Sequence, residues 1–238
     1  MTTHAATELA ALLQRTRYLL LDFDGPICAI FACRPASDVA RELVHALRED
    51  GHSVPKRVDD FTDPFDVLRF AGTLGPAATE RTHDRLRATE VEAARTATPT
   101  PHAAELIRTW RGSGRLVAAV SNNSKAAVDA YLAEHDIGLD LVIGRTSPNP
   151  ALLKPNPHLV VRAIDSLRAG AEEAVLLGDS PSDIEAGARA GIATIGYANK
   201  PGKHQLLTDA GAHSVVDKLQ PLARASRIAW SCARTIEH

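Results

Sequence analysis

Along the chain, apolar residues come in two patterns, short unbroken runs and longer stretches spaced three and four apart. The runs at Tyr18–Leu21, Leu116–Val120, Leu141–Ile143, Ala174–Leu177, Ile192–Ile195 and Ser214–Val216 predict buried strands. Between them lie helical spacings: Leu9, Leu12 and Leu13 within Thr7–Gln14, then Ala103–Arg111, Lys125–His135, a helix opened by Lys154–Pro157 and running to Leu167, and another reaching Ala190. Strands alternating with helices predict an α/β fold built on a doubly wound parallel sheet.

One stretch breaks the alternation. From Pro26 to about Thr100 the spacing is helical throughout. Ser37 or Asp38 is positioned to cap a helix running to Asp50, with Val39, Leu43, Val44 and Leu47 on one face. Asp63-Pro64 opens a second, and Pro76–Ala97 reads as a third. Thr98-Pro-Thr-Pro101 closes the stretch like a hinge. The expected organisation is a Rossmann-like core of residues 1–25 and 101–238, interrupted by an all-α insert at 26–100.

Composition narrows the function classes. Lys and Arg total 27 against 29 Asp and Glu, so neither a nucleic-acid stripe nor a basic membrane face is expected. No apolar run approaches the roughly 18 residues of a membrane span. Cys28, Cys33 and Cys232 are too few for a disulfide framework, which favours a reducing, cytoplasmic setting, and Cys28 and Cys33 read as small apolar residues.

The chemistry sits at the strand ends. Asp22 and Asp24 follow the first run and precede Gly25-Pro26; Ser121 and Asn122 follow the Leu116 run; Lys154 opens a helix; Asp179 and Asp183 follow the Ala174 run. A parallel sheet brings these ends to one edge, the place where such sheets bind ligands. Taken singly, Ser121 could cap the helix near Lys125, Lys154 could be a solvated surface lysine, and Asp183 could cap its own helix. Together, acids, a hydroxyl and an ammonium suit a phosphate ester held with a divalent cation.

In order and position, Asp22-Phe-Asp-Gly25, Val120-Ser121, Lys154-Pro155 and Gly178-Asp-Ser-Pro-Ser-Asp183 resemble the four motifs of the haloacid dehalogenase superfamily. The insert resembles that family's α-helical cap, of the kind found in phosphoglycolate phosphatases. The resemblance implies a Mg²⁺-dependent phosphatase acting on a small phosphorylated metabolite through an aspartyl-phosphate. It implies Asp22 as nucleophile and Asp24 as general acid and base; carbon–halogen-cleaving members typically lack the second acid. Ser121, Asn122 and Lys154 would bind phosphate. The Asp22 carboxylate, the Asp24 carbonyl, Asp179 and Asp183 would hold the metal, the last directly or through water. Pro26 departs from the family's usual Thr or Val.

Arg34, Lys56, Arg57, Arg69 and His83 are candidates for reading the rest of the substrate, and Arg34, near Asp22 in sequence, is the preferred one. Gly196–Lys203 looks like a phosphate-binding loop but has five residues between its glycines and His204 after the lysine, so a plain surface loop is expected. Two other readings remain open: a phosphomutase resembling β-phosphoglucomutase, and a silent binding or regulatory protein of the same fold. A monomer or homodimer is expected.

Overall fold

The computed structural model describes residues 3–236, with side chains from 7 to 227. In chain order the elements are α1 (Thr3–Arg15), β1 (Tyr18–Leu21), β2 (Cys28–Ala29), α2 (Ala36–Glu49), α3 (Pro64–Thr73), α4 (Pro76–Ala94), β3 (Thr98–Pro99), α5 (Ala103–Gly112), β4 (Leu116–Ser124), α6 (Lys125–Glu134), β5 (Leu141–Arg145), α7 (His158–Leu167), β6 (Ala174–Gly178), α8 (Pro181–Arg189), β7 (Ala193–Tyr197), α9 (Lys203–Asp209), β8 (Ser214–Val216) and α10 (Leu219–Ile236). Six strands form one parallel sheet in the order β5-β4-β1-β6-β7-β8, with β1 at its centre. Tyr18 pairs with Leu116 on one side and Ala174 on the other.

The pleat sorts β1 between two layers. Leu19 and Leu21 join a cluster with Leu13 of α1, Trp110 of α5, Tyr131 of α6 and Leu222 of α10. Tyr18 and Leu20 face the other way, onto Leu159 and Val160 of α7 and Ala186 of α8. Burial on both faces explains why these strands read as unbroken apolar runs rather than alternating ones. Among the described residues no helix is long and apolar enough to cross a membrane.

Helices α2, α3 and α4 build a third cluster around Leu43, Leu47, Leu68 and Leu86. Asp63 caps α3 as its position before Pro64 predicts, accepting from the Phe65 N–H at 2.8 Å. Neither Ser37 nor Asp38 caps α2; the helix starts at Ala36 behind Pro35, with no side-chain cap. Helix α4 stops at Ala94 rather than Ala97, and Ala93, Ala94 and Ala97 pack into the main cluster beneath the sheet. In the other direction Leu153, from the loop after β5, packs among the insert's apolar residues, and Pro150 lies against Gly72 of α3. The stretch expected to be a hinge is a two-residue ribbon, with Thr98 and Pro99 paired antiparallel to Ala29 and Cys28. Cys28 is buried, Cys33 is exposed rather than packed, and the Cys232 side chain lies outside the described residues.

Candidate active site

Strand β1 delivers the first acid directly. Past Leu21 the Asp22 N–H still pairs with the Leu177 carbonyl at 2.9 Å, so its carboxyl projects from the sheet edge on a fixed backbone. The chain then turns: the Ile27 and Cys28 N–H groups both donate to the Phe23 carbonyl. Gly25 at the turn has φ +107°, and a Cβ there would fall 2.4 Å from the Asp179 Cγ. Glycine is required twice over, for the left-handed backbone and for the room Asp179 occupies. Pro26 is accommodated inside this turn without disturbing either acid.

Asp179 and Asp183 come from the end of β6 and the first turn of α8. Asp183 is fully buried and accepts from the Ser180 N–H at 3.1 Å, the reach-back bond of a capping box, and from the Ser180 hydroxyl at 2.7 Å. Its other oxygen takes Lys154 Nζ at 2.5 Å, and Asp22 takes the same ammonium at 2.9 Å. Lys154 is therefore buried rather than a surface residue. Its ammonium also donates to the Val120 carbonyl at 3.0 Å. The Asn122 side chain clamps its backbone, accepting from the Lys154 N–H at 2.8 Å and donating to its carbonyl at 3.4 Å. Asn122 thus holds Lys154 in place through its side-chain amide.

Ser121 does not cap α6; Ser124 does, accepting from the Ala127 N–H. The Ser121 hydroxyl exchanges hydrogen bonds with Asn123 at 3.2 Å. Strand β4 continues through these four polar residues, all buried, past Val120 where the apolar run ends.

The cleft above these groups has a volume of about 380 Å³. Asp22, Asp24, Ser121, Asn122, Lys154, Asp179 and Asp183 all line it, together with Phe31, Asp63, Phe65 and Arg69 from the helical side. Arg34 is not among the lining residues. Its guanidinium is taken by Glu42 and Glu92, which removes the reason for giving it a substrate contact. Arg69 is the arginine that reaches the cleft, donating to Asp66 at 2.9 Å and to the Lys154 carbonyl at 3.2 Å.

The Gly196–Lys203 loop contributes residues that the sequence reading set aside. Lys203 pairs with Asp179, and the Asn199 side-chain amide donates to the same oxygen at 2.9 Å. Because β7 lies beside β6, the strand-edge argument that found Asp179 also covers the end of β7.

Electrostatics at this edge are unbalanced. Burial, then the neighbouring Asp183, push the Asp22 carboxyl up to about 7, against the pull of Lys154. Burial pushes Asp24 up to about 6, partly offset by the hydrogen bond its carboxylate accepts from the Ile30 N–H at 3.1 Å. Burial alone would lower Lys154, but Asp183 and Asp22 hold it above its ordinary value. One ammonium between two acids favours the closer one, and Asp22 keeps the deficit. When all are ionised, the four carboxylates outnumber by two the ammonium groups paired with them, Lys154 and Lys203.

Oxygens of Asp22, Asp179 and Asp183 lie within 4.8 Å of one another. Three hard carboxylate donors at one edge, with more acids than ammonium groups around them, fit a divalent cation such as Mg²⁺.

The raised carboxyls have a consequence for the metal-free protein. Both groups ionise near pH 4 when unfolded and near 6 to 7 when folded, so across that window the folded state holds protons the unfolded chain has released. Stability therefore falls as pH rises from about 4 to 7, by about 1.4 kcal/mol per pKa unit and group at most. In EDTA, melting at pH 7.5 should lie roughly 5–10 °C below melting at pH 5. Asp22→Asn should flatten that slope, and a flat or rising wild-type profile would contradict the assignment.

The model of the haloacid dehalogenase-like hydrolases matches residues 16–191. A phosphoglycolate phosphatase of Aquifex aeolicus is 27% identical over 190 residues, 75% of this chain and 83% of that protein. Among solved structures, one described as a predicted phosphatase from Clostridium acetobutylicum has a TM-score of 0.66 at 17% identity, covering 88% of this chain and 97% of the other. One described as a β-phosphoglucomutase from Bacteroides vulgatus has a TM-score of 0.65 at 16% identity, covering 97% and 99%.

Proposed function

Since the chain belongs to the haloacid dehalogenase-like hydrolases, we propose that it is a Mg²⁺-dependent phosphatase of a small phosphorylated metabolite. The observation that carries this reading is the meeting of Asp22, Asp179 and Asp183 with Lys154 and Ser121 in one cleft. Asp22 attacks phosphorus from its fixed place at the end of β1, forming an aspartyl-phosphate. Asp24, raised towards neutrality by burial, protonates the leaving alkoxide and then takes a proton from the water that releases phosphate. Lys154 and Ser121 steady the phosphoryl oxygens. Asp22, Asp179 and Asp183, with the Asp24 carbonyl, would hold the cation, which would offset phosphoryl charge and favour the anionic form of Asp22.

The helical insert acts as a cap whose residues read the leaving group. Among the described residues Arg69 is the one cationic side chain that the insert contributes to the lining, so the favoured substrates carry a carboxylate beside the phosphate ester. The Aquifex relative, whose name specifies phosphoglycolate, supports that choice.

A panel of phosphate monoesters including 2-phosphoglycolate, assayed with Mg²⁺, tests the proposal through released phosphate. Conversion of a hexose 1-phosphate to its isomer would replace it with a mutase. No turnover of any ester by folded protein would replace it with a binding role. Within an active panel, Arg69→Ala should raise KM for carboxylated esters roughly tenfold, the size of one charged hydrogen bond, with p-nitrophenyl phosphate little changed. Arg34→Ala should alter neither. Equal losses on both substrates in Arg69→Ala would place that side chain in the phosphate cradle instead.

A further inference from the structure

The polar end of β4 is tethered by a buried ion pair that joins helix α4 to the neighbouring strand β5. Glu90 of α4 and Arg145 at the end of β5 are both buried, with oxygen and nitrogen 2.7 Å apart. The same Glu90 oxygen accepts from the Ser124 N–H at 2.9 Å, and its partner oxygen from the Asn123 side-chain amide at 3.4 Å. Arg145 Nε donates to the Asn122 carbonyl at 3.1 Å. Three consecutive residues after Ser121 are therefore each tied to the pair.

Stability does not account for this arrangement. Two charges taken out of water recover little over an apolar pair of the same size. Arg145 Nη1 is buried without a hydrogen-bond partner among the described residues, a further cost. What the pair holds does account for it. Ser121 and Asn122 line the cleft, and Asn122 in turn clamps the backbone of Lys154.

We propose that Glu90 and Arg145 are positioning residues for the phosphate cradle, setting the shape of residues 121–124 and, through Asn122, the seat of Lys154. Neither touches the substrate. Because Glu90 rides on α4, cradle geometry depends on that helix being seated: Leu86, one turn earlier, packs with the insert, and Ala93 and Ala94 pack with the core. This inference rests on the cleft being a phosphate site.

The test uses the full chain carrying Glu90→Met with Arg145→Leu, which removes both charges together and so leaves neither unpaired. Inorganic phosphate binding, measured by calorimetry with Mg²⁺ present, should weaken roughly tenfold, as for other partners that orient a site without joining it. Mg²⁺ binding should fall less than phosphate binding, since Asp22, Asp179 and Asp183 come from the ends of β1 and β6 and from α8, none of which the pair touches. Amide exchange at residues 122–124 should rise while Val117–Val120 stays protected. Unchanged phosphate affinity, or equal loss of phosphate and Mg²⁺ affinity, would overturn the proposal. If the double variant fails to fold, Glu90→Gln must show the same split between phosphate and Mg²⁺. Wild-type protein that binds no phosphate would sink the phosphatase reading instead, and the exchange pattern at residues 122–124 would then decide the positioning role alone.

Discussion

Asp22→Asn should fold and turn over essentially nothing, a loss of about 10⁴-fold or more, or roughly 5.5 kcal/mol of transition-state stabilisation. The amide keeps the volume and can still accept the Phe23 N–H, which Asp22 holds at 2.7 Å. What it lacks is the anionic oxygen that must bond to phosphorus. Folding should not suffer in step. Asp22 is repelled by Asp183 and Asp179 as well as attracted by Lys154, so neutralising it removes strain along with the ion pair. In EDTA at pH 7.5 the variant should therefore melt no lower than wild type. The measurements are steady-state phosphate release and thermal melting on the same preparation. Activity within tenfold of wild type would mean another group attacks phosphorus.

Chelation should cost as much. Stripped with EDTA, the protein should fall to background turnover, and Mg²⁺ should restore it. With more carboxylates than paired ammonium groups at the strand ends, phosphate meets repulsion once those acids ionise unless a cation is present. Ca²⁺ should bind, because it takes the same oxygens, and should raise the melting temperature as Mg²⁺ does. It should nonetheless support little turnover, since its ligands sit at about 2.3–2.6 Å against about 2.0–2.1 Å for Mg²⁺ and the phosphoryl group is then misplaced. Full activity after exhaustive chelation would remove the metal from the mechanism.

The acids could be read from the sequence because burial writes a simple code. Four apolar residues followed by Asp22 can only be a strand leaving the core, and a parallel sheet fixes where it leaves. The polar end of β4 could not be read this way. Ser121–Ser124 lies past the apolar run, and its polar groups are satisfied by Glu90, 34 positions before Ser124, and by Arg145, 23 after Asn122. Such pairings leave no local periodicity. Arg34 attracted attention by closeness in sequence to Asp22, yet the chain carries it onto Glu42 and Glu92, while Arg69 reaches the cleft from further along. Thr98–Pro99 contains a proline and spans two residues, too short for any strand signal. Lys203 lies beyond a glycine-rich turn that resembles a phosphate loop, and only the neighbouring place of β7 beside β6 brings it to Asp179.

Leu153 bears on how proteins of this shape can be recombined. It belongs to the catalytic half by sequence and to the helical insert by packing, one residue before Lys154. A chimera that transplants residues 26–100 alone would arrive with a hole where Leu153 sat and with Glu90 stripped of Arg145. Crossover points are tolerated where few contacts pass between the exchanged pieces, and many pass here. The heritable module is therefore discontinuous, 26–100 together with 145–153, and libraries that shuffle both pieces as one should return far more folded clones than libraries cut at the insert's ends.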